Sequence, residues 1–260
     1  MAKMIKIAFL RQFIWLVFSL SLLIFGSGIS WQISKSANFF YSTWYQVLDI
    51  NHVVRKNVPK NSQGKADFPV DDASMHERKF AEIVLAIHQS GNGLSEIEYL
   101  NQQSITQKLL TKSEVQHLQD VANLLTSVNQ LWWGNVFFLL FLMLFYCRKH
   151  QSFEQFNGGK LPINAITVIP RFKQKLISLL FFVILIMTVL GIWGFTDIFY
   201  YLHTVVFPEN HQWFFYYKDS LMATIMKAPD IFAAIAVQLV AVALLVAAGI
   251  DAAVSRYQRQ

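Results

Sequence analysis

Charge is scarce in this chain. Only 15% of its 260 residues are Asp, Glu, Lys or Arg, while 54% are hydrophobic. Soluble domains carry about 25% charge and about 45–50% apolar residues. The mean hydropathy of +0.37 points the same way, and both a soluble enzyme and a soluble nucleic-acid-binding domain are disfavoured. Cysteine is nearly absent. Cys147 is the only one, so the chain has no internal disulfide and no pair of thiolates for a metal. The glycine-rich phosphate loops, the HExxH zinc motif and the CxxC redox motif are also missing. Disorder is disfavoured by the opposite feature, since 23 Phe and 7 Trp are far too many for an unfolded polar chain.

What the chain does have is long runs without charge. Residues 12–34, 121–147, 176–196 and 231–250 contain no Asp, Glu, Lys or Arg. Each is close to or above the roughly 20 residues needed to cross an apolar core of about 30 Å. The fold predicted is an all-α membrane protein with four transmembrane helices and a mainly helical extracytoplasmic head between helices 1 and 2. Residues 1–30 form the leader and first span, 31–130 the head, 131–250 the remaining spans, and 251–260 the tail. The positive charge sorts by segment. Residues 148–175 hold Arg148, Lys149, Lys160, Arg171, Lys173 and Lys175 against Glu154 alone, whereas residues 31–130 hold nine Lys/Arg against ten Asp/Glu. Lys and Arg concentrate on the cytoplasmic side. Both termini and the 148–175 loop are therefore predicted inside, and the head and the 197–230 loop outside. The net charge of +6 is then a topology signal, and no nucleic-acid partner is predicted. A cleaved signal peptide is the alternative for the first run, although Gly26-Ser27-Gly28 also suits a helix–helix contact.

Within the head, the aromatic stretch 38–50 is expected to run along the membrane interface. Residues 57–72, with Pro59, Gly64 and Pro69, read as a loop. Residues 76–89 repeat apolar side chains at Phe80, Ile83, Val84 and Ile87, the spacing of a helix. Residues 92–110 are ambiguous and leave room for a short extended piece. Thr111-Lys112-Ser113-Glu114 has the form of a capping box from which a helix runs into the second span. The exterior loop at 199–217 is rich in Phe, Tyr and Trp and is expected to fold into the outer leaflet or to close a cavity.

Chemistry is concentrated in the exterior histidines: His52, His76, His88, His117, His203 and His211. Glu114, His117 and Asp120 are spaced by three and share a helix face. A carboxylate beside an imidazole can fix its tautomer, so Asp120, and less directly Glu114, are expected to support His117. His203 follows the third run and precedes Phe207-Pro208. Two histidines at one depth can divide acid and base roles. Taken singly, each has a plainer reading as an amphipathic residue at an interface, and the flanking carboxylates as a solvated helix face. A haem or quinone site is disfavoured because no histidine falls inside a span.

Two of these segments carry a family pattern. Glu114-Val115-Gln116-His117-Leu118-Gln119-Asp120-Val121 resembles a Glu-x-x-His-apolar-x-Asp-Val motif. His203-Thr204-Val205-Val206-Phe207-Pro208-Glu209-Asn210, followed by Trp213-Phe214, resembles a His-spacers-Phe-Phe-Pro-Gly-Asn-Trp-x-Phe run, and Pro229-Asp230-Ile231-Phe232 resembles a Pro-x-x-Phe entry to the last span. These belong to the four-span membrane family that contains the lipoprotein intramolecular transacylase. The resemblance covers roughly residues 10 to 250. It implies an enzyme of the bacterial cytoplasmic membrane that moves an acyl chain from the glyceryl oxygen to the α-amino group of a diacylglyceryl-cysteine lipoprotein. It implies His117 and His203 as the catalytic pair. Of the two, His203 is the preferred base by its place in the more aromatic loop, and His211 is an alternative. Phe207, Pro208, Asn210 and Trp213 become candidates for substrate binding. The partners expected are the lipid bilayer and the lipoprotein; no cofactor and no metal are called for. Glu209, Leu118 and Val206 depart from the pattern where Gly, Met and Phe are usual, which leaves the lipid substrate open. A non-catalytic membrane scaffold with an exterior partner is the alternative function.

Overall fold

The computed structural model describes residues 2–147 and 168–258. Arg148, Lys149, Glu154, Lys160 and Arg259, which contribute to the charge asymmetry, lie outside the described residues. Helices dominate. They are α1 (Ala2–Ser36), α2 (Tyr41–Val47), α3 (Ile50–Asn57), α4 (Ala73–His88), α5 (Lys112–Cys147), α6 (Phe172–Trp193), α7 (Phe195–Val206), α8 (Leu221–Ile225) and α9 (Asp230–Tyr257). A two-stranded antiparallel hairpin, β1 (Glu98–Leu100) and β2 (Thr106–Lys108), fills the ambiguous stretch, with Tyr99 opposite Gln107.

Three helices among the described residues are long and apolar enough to cross a membrane: Ile7–Ser36, Lys112–Cys147 and Asp230–Tyr257. They contain the first, second and fourth of the expected spans. The third falls on α6, a helix of 22 residues. At 1.5 Å per residue, the 36 residues of α5 reach about 54 Å, well beyond an apolar core of about 30 Å. Its charge-free part begins at Val121, so Glu114, His117 and Asp120 lie on the turns that precede that run.

The chain divides into two compact units, one drawing on residues 2–29, 131–147, 168–199 and 241–258, the other on 30–130 and 200–240. In the first, Trp15, Phe18, Leu22, Leu139, Leu142, Tyr146 and Val254 form a small buried cluster. Most other apolar side chains face outward, and Leu131, Ile192 and Leu245 are each 74% exposed. Water does not tolerate so much contiguous apolar surface, whereas lipid does. Helices in lipid need close backbone approach and polar pairing to associate. Both are present. The side chains of Ser21 and Asn135 bond at 2.8 Å, and the Asn135 amide returns a bond to the Ser21 carbonyl at 3.0 Å. Trp132 lies stacked on Phe25 and donates to the Phe25 carbonyl at 3.2 Å. Lys175 pairs with Asp251 at 2.5 Å.

The second unit has a larger core built from α2, α3, α4, the hairpin and α8, including Phe39, Tyr41, Ile50, Val54, Phe68, Phe80, Ile83, Tyr99 and Ile225. This corrects the expectation for the aromatic stretch 38–50. Phe39, Tyr41 and Tyr45 are buried in this core and are not a membrane belt. The physical reason is that each tyrosine hydroxyl finds a buried partner, as Tyr41 does by donating to the Ile225 carbonyl at 2.7 Å. The chain enters this core through Asn38, Phe39 and Phe40, three successive left-handed residues with φ of 49°, 51° and 57°. Such residues cost roughly 1–2 kcal/mol each, and the burial of Phe39 against Trp31 and His88 offsets part of that cost.

The close packing of α1 and α5 gives a direct test. A methyl group added at Gly28 would stand 2.0 Å from Trp132 Nε1. Gly28→Ala must displace the indole and break its bond to Phe25. The expected loss is about 1–3 kcal/mol, read as a lower melting temperature in detergent. Ser27→Ala, at an exposed neighbour, should stay within about 0.5 kcal/mol.

Candidate active site

The expected capping box starts α5. The Thr111 amide donates to Glu114 Oε2 at 2.5 Å, and the Glu114 amide donates to Thr111 Oγ1 at 3.3 Å. With its start fixed, the helix presents Glu114, His117 and Asp120 along one face. His203 comes from the last turn of α7, which closes when the Phe207 amide donates to the His203 carbonyl at 3.0 Å. Pro208 has no amide to continue the helix. The chain instead turns, and the His211 amide bonds the Pro208 carbonyl at 3.0 Å.

These elements bring the two imidazoles together. The rings of His117 and His203 lie 6.4 Å apart between centroids. Phe207 contacts both, at 5.0 Å from His117 and 5.2 Å from His203. Phe215 packs on His117 at 5.9 Å, and Trp213 on His203 at 5.0 Å. Phe207 and Trp213, two of the residues proposed to contact substrate, thus lie against the imidazoles. Pro208 and Asn210 are exposed members of the turn that delivers His211.

The two carboxylates behave differently from expectation. Asp120 does not bond His117. Its Oδ2 accepts a 2.6 Å bond from His211 Nδ1. Glu114 is fully buried and accepts a hydrogen bond from Ser220 Oγ besides the one from Thr111. Among the described residues, His117 Nδ1 is buried without a hydrogen-bond partner. Such an atom costs about 1–3 kcal/mol unless something satisfies it. The partners of the carboxylates, His211 and Ser220, lie 91 and 106 residues away in sequence, and Phe215 carried no motif signal.

The remaining exterior histidines separate by environment. His76 is buried, stacked on Phe68, and held by Tyr45 and the Pro69 carbonyl. His88 donates from Nδ1 to the Val84 carbonyl and accepts from the Trp31 indole on Nε2, which fixes a neutral tautomer. Both have filled bonding positions and serve the core. His52 is exposed. Among the described residues, no group of three or more His, Cys, Asp or Glu converges as metal ligands would.

Burial pushes the His117 pKa down to about 4. The nearby His203 adds to that shift, and Asp120 opposes it. His117 is therefore a neutral imidazole at physiological pH.

A family model described as Lipoprotein intramolecular transacylase Lit matches residues 14–229. No curated protein and no solved structure matches the chain.

The depressed pKa has a consequence for stability. Between about pH 6.5, where an unfolded histidine titrates, and about pH 4, the unfolded chain holds a proton at His117 that the folded chain lacks. Stability should then fall as pH is lowered through this window, by on the order of 1 kcal/mol per pH unit. Burial lowers His76 and His88 in the same direction, so the His117 share is the difference between wild type and His117→Gln. Melting curves in detergent from pH 7.5 to 4.5 should show the gap narrowing or reversing in favour of the variant as pH falls.

Proposed function

Because the chain belongs to the lipoprotein intramolecular transacylase family, we propose that it moves an acyl chain from a glyceryl oxygen to the α-amino group of a diacylglyceryl-cysteine lipoprotein. The observation that carries this reading is the pairing of His117 and His203 at 6.4 Å, with a buried and unpartnered Nδ1 on His117. The proposed setting is the bacterial cytoplasmic membrane. Four spans, α6 among them, and cytoplasmic termini would put the pair on the outer side, where the glyceryl esters of a lipoprotein lie.

The transfer needs few parts. The amine attacks the ester carbonyl and forms the C–N bond. The tetrahedral intermediate then breaks its C–O bond to glycerol. One proton leaves nitrogen and one reaches the glyceryl oxygen, so a single imidazole can carry it from one to the other. We assign that shuttle to His203. His117, neutral with a pKa near 4, is a weak base and suits a different task, donating a hydrogen bond to the oxygen on which negative charge develops. A neutral imidazole donor keeps its proton through the step and needs no recharging. Donor and acceptor share one molecule, so the site mainly has to hold them in reacting geometry. The rings of Phe207, Trp213 and Phe215 offer an apolar lining that keeps water from competing with the amine.

The test is mass spectrometry of a diacylglyceryl lipopeptide incubated with the purified protein. Transfer leaves the total mass unchanged, so fragment ions must locate the acyl chain on nitrogen. Wild type should move it, while His117→Ala and His203→Ala should each slow transfer by about 10²–10⁴. A folded wild-type protein that leaves the chain on oxygen would remove this reading.

A further inference from the structure

The segment from Phe207 to Ser220 joins α7 to α8 with little regular structure. It supplies Phe207, Trp213 and Phe215, whose rings pack on the two imidazoles. Among the described residues, the stretch 212–216 makes a single backbone-to-backbone hydrogen bond, from the Asp219 amide to the Tyr216 carbonyl. Its placement therefore rests on ring packing, in which Trp213 and Phe214 lie on Tyr200, and on attachments toward its two ends. Near the Ser220 end, Ser62 bonds the Lys218 carbonyl at 2.8 Å and Asp219 at 2.5 Å, and Tyr217 bonds the Ala228 carbonyl at 2.8 Å. Two further attachments, at Ser220 and at His211, are carboxylates on α5, three residues either side of His117.

The attachments are unequal. At the Ser220 end, Glu114 is fully buried and Ser220 is 1% exposed. Ser220 Oγ also accepts from the Ala223 amide at 2.8 Å and caps α8, whose five residues are all buried. This end is built into the core of its unit. At the other end, the His211 and Asp120 side chains are 20% and 16% exposed, and one 2.6 Å hydrogen bond joins them. Water reaches that bond, and the neighbouring turn residues Pro208, Glu209 and Asn210 are exposed. A bond open to solvent is cheaper to break than a buried one.

We infer that the Asp120–His211 hydrogen bond is a clamp that positions the 207–217 strap over the two imidazoles, and that His211 is a positioning residue for the reaction. The inference rests on the proposed acyl transfer for its consequence. A lipid ester reaching His117 must displace Phe207 and Phe215 from that ring, so the strap opens and recloses in each cycle. The clamp is the attachment that releases, and Glu114–Ser220 is the hinge. Closure also settles which nucleophile reaches the carbonyl. With the strap held, the tethered amine attacks. With it loose, water can add to the same carbonyl, break the same C–O bond, and release a free fatty acid with the glyceryl hydroxyl restored.

The experiment combines hydrogen exchange with product analysis on full-length protein in detergent. Asp120→Asn and His211→Ala should each raise exchange of the residue-211 amide, the one in 209–216 that donates a backbone bond among the described residues, by about tenfold, equivalent to about 1.4 kcal/mol of lost protection. Amides in α4 should be unchanged. The double variant should loosen the strap no further than either single change, as expected for two residues that act as one contact. Lys108→Ala, in the exposed hairpin pair with Glu98, serves as the control. With a diacylglyceryl lipopeptide, both clamp variants should shift product from the N-acyl form toward free fatty acid, a partition that general loss of stability would not change. Unaltered exchange in both single variants would overturn the clamp. So would a loosened strap that leaves the partition between transfer and hydrolysis as in wild type. If wild type turns over no lipopeptide, the acyl-transfer reading falls instead, and the exchange result alone decides whether the clamp exists.

Discussion

A buried carboxylate cannot be left without donors, and Glu114 is buried completely. Its two oxygens are met by the Thr111 amide and the Ser220 hydroxyl. That requirement does two things at once. It fixes where α5 begins, and hence the phase at which His117 and Asp120 emerge from the helix. It also holds the start of α8 against the first turn of α5, so the strap that ends at Ser220 returns across the same helix face. The buried Lys65 ammonium, bonded to the Leu109 carbonyl, stands close enough to feel the Glu114 charge. Replacing Glu114 by an apolar residue would strand donors from two elements.

The candidate site follows from that arrangement. Once α5 and the strap are registered, Phe207 can touch both imidazoles while Phe215 covers His117. The same packing excludes water from His117 and lowers its pKa to about 4. In the proposed transfer, burial would divide the labour between two chemically identical side chains, His117 donating a hydrogen bond and His203 moving the proton. The family match over residues 14–229 is the ground on which that transfer is proposed for this geometry.

Parts of this were legible in the chain. The charge-free runs stood out because lipid imposes a minimum apolar length, and three of them fall in helices that meet it. The Thr111–Glu114 box was legible because its partners are three residues apart. The spacing of Phe80, Ile83, Val84 and Ile87 marked α4 for the same reason, since helical contacts repeat over one turn. The aromatic stretch 38–50 misled. Belt residues and core residues are the same types, and only the buried partners of Tyr41 and Tyr45 separate the two. The left-handed run at Asn38–Phe40 had no signal either, because it contains no glycine. Asp120 was assigned to the wrong histidine, although its helix face was right. A carboxylate on that face can meet a ring from its own helix or from the strap, and local spacing does not choose between them.

By itself, the sequence determined what depends on near neighbours and on composition: the apolar helices, the start of α5, the shared face of Glu114, His117 and Asp120, and the family pattern around His117 and His203. The tertiary structure decided what depends on groups that local spacing does not pair. It set the 6.4 Å approach of the two imidazoles, the neutrality of His117, the filled bonding positions that retire His76 and His88 to the core, and the bond from His211 to Asp120. The physical reason is the range of the forces involved. Helix periodicity and capping act within one turn of chain, whereas desolvation and hydrogen bonding act between whichever groups the fold brings within a few ångströms.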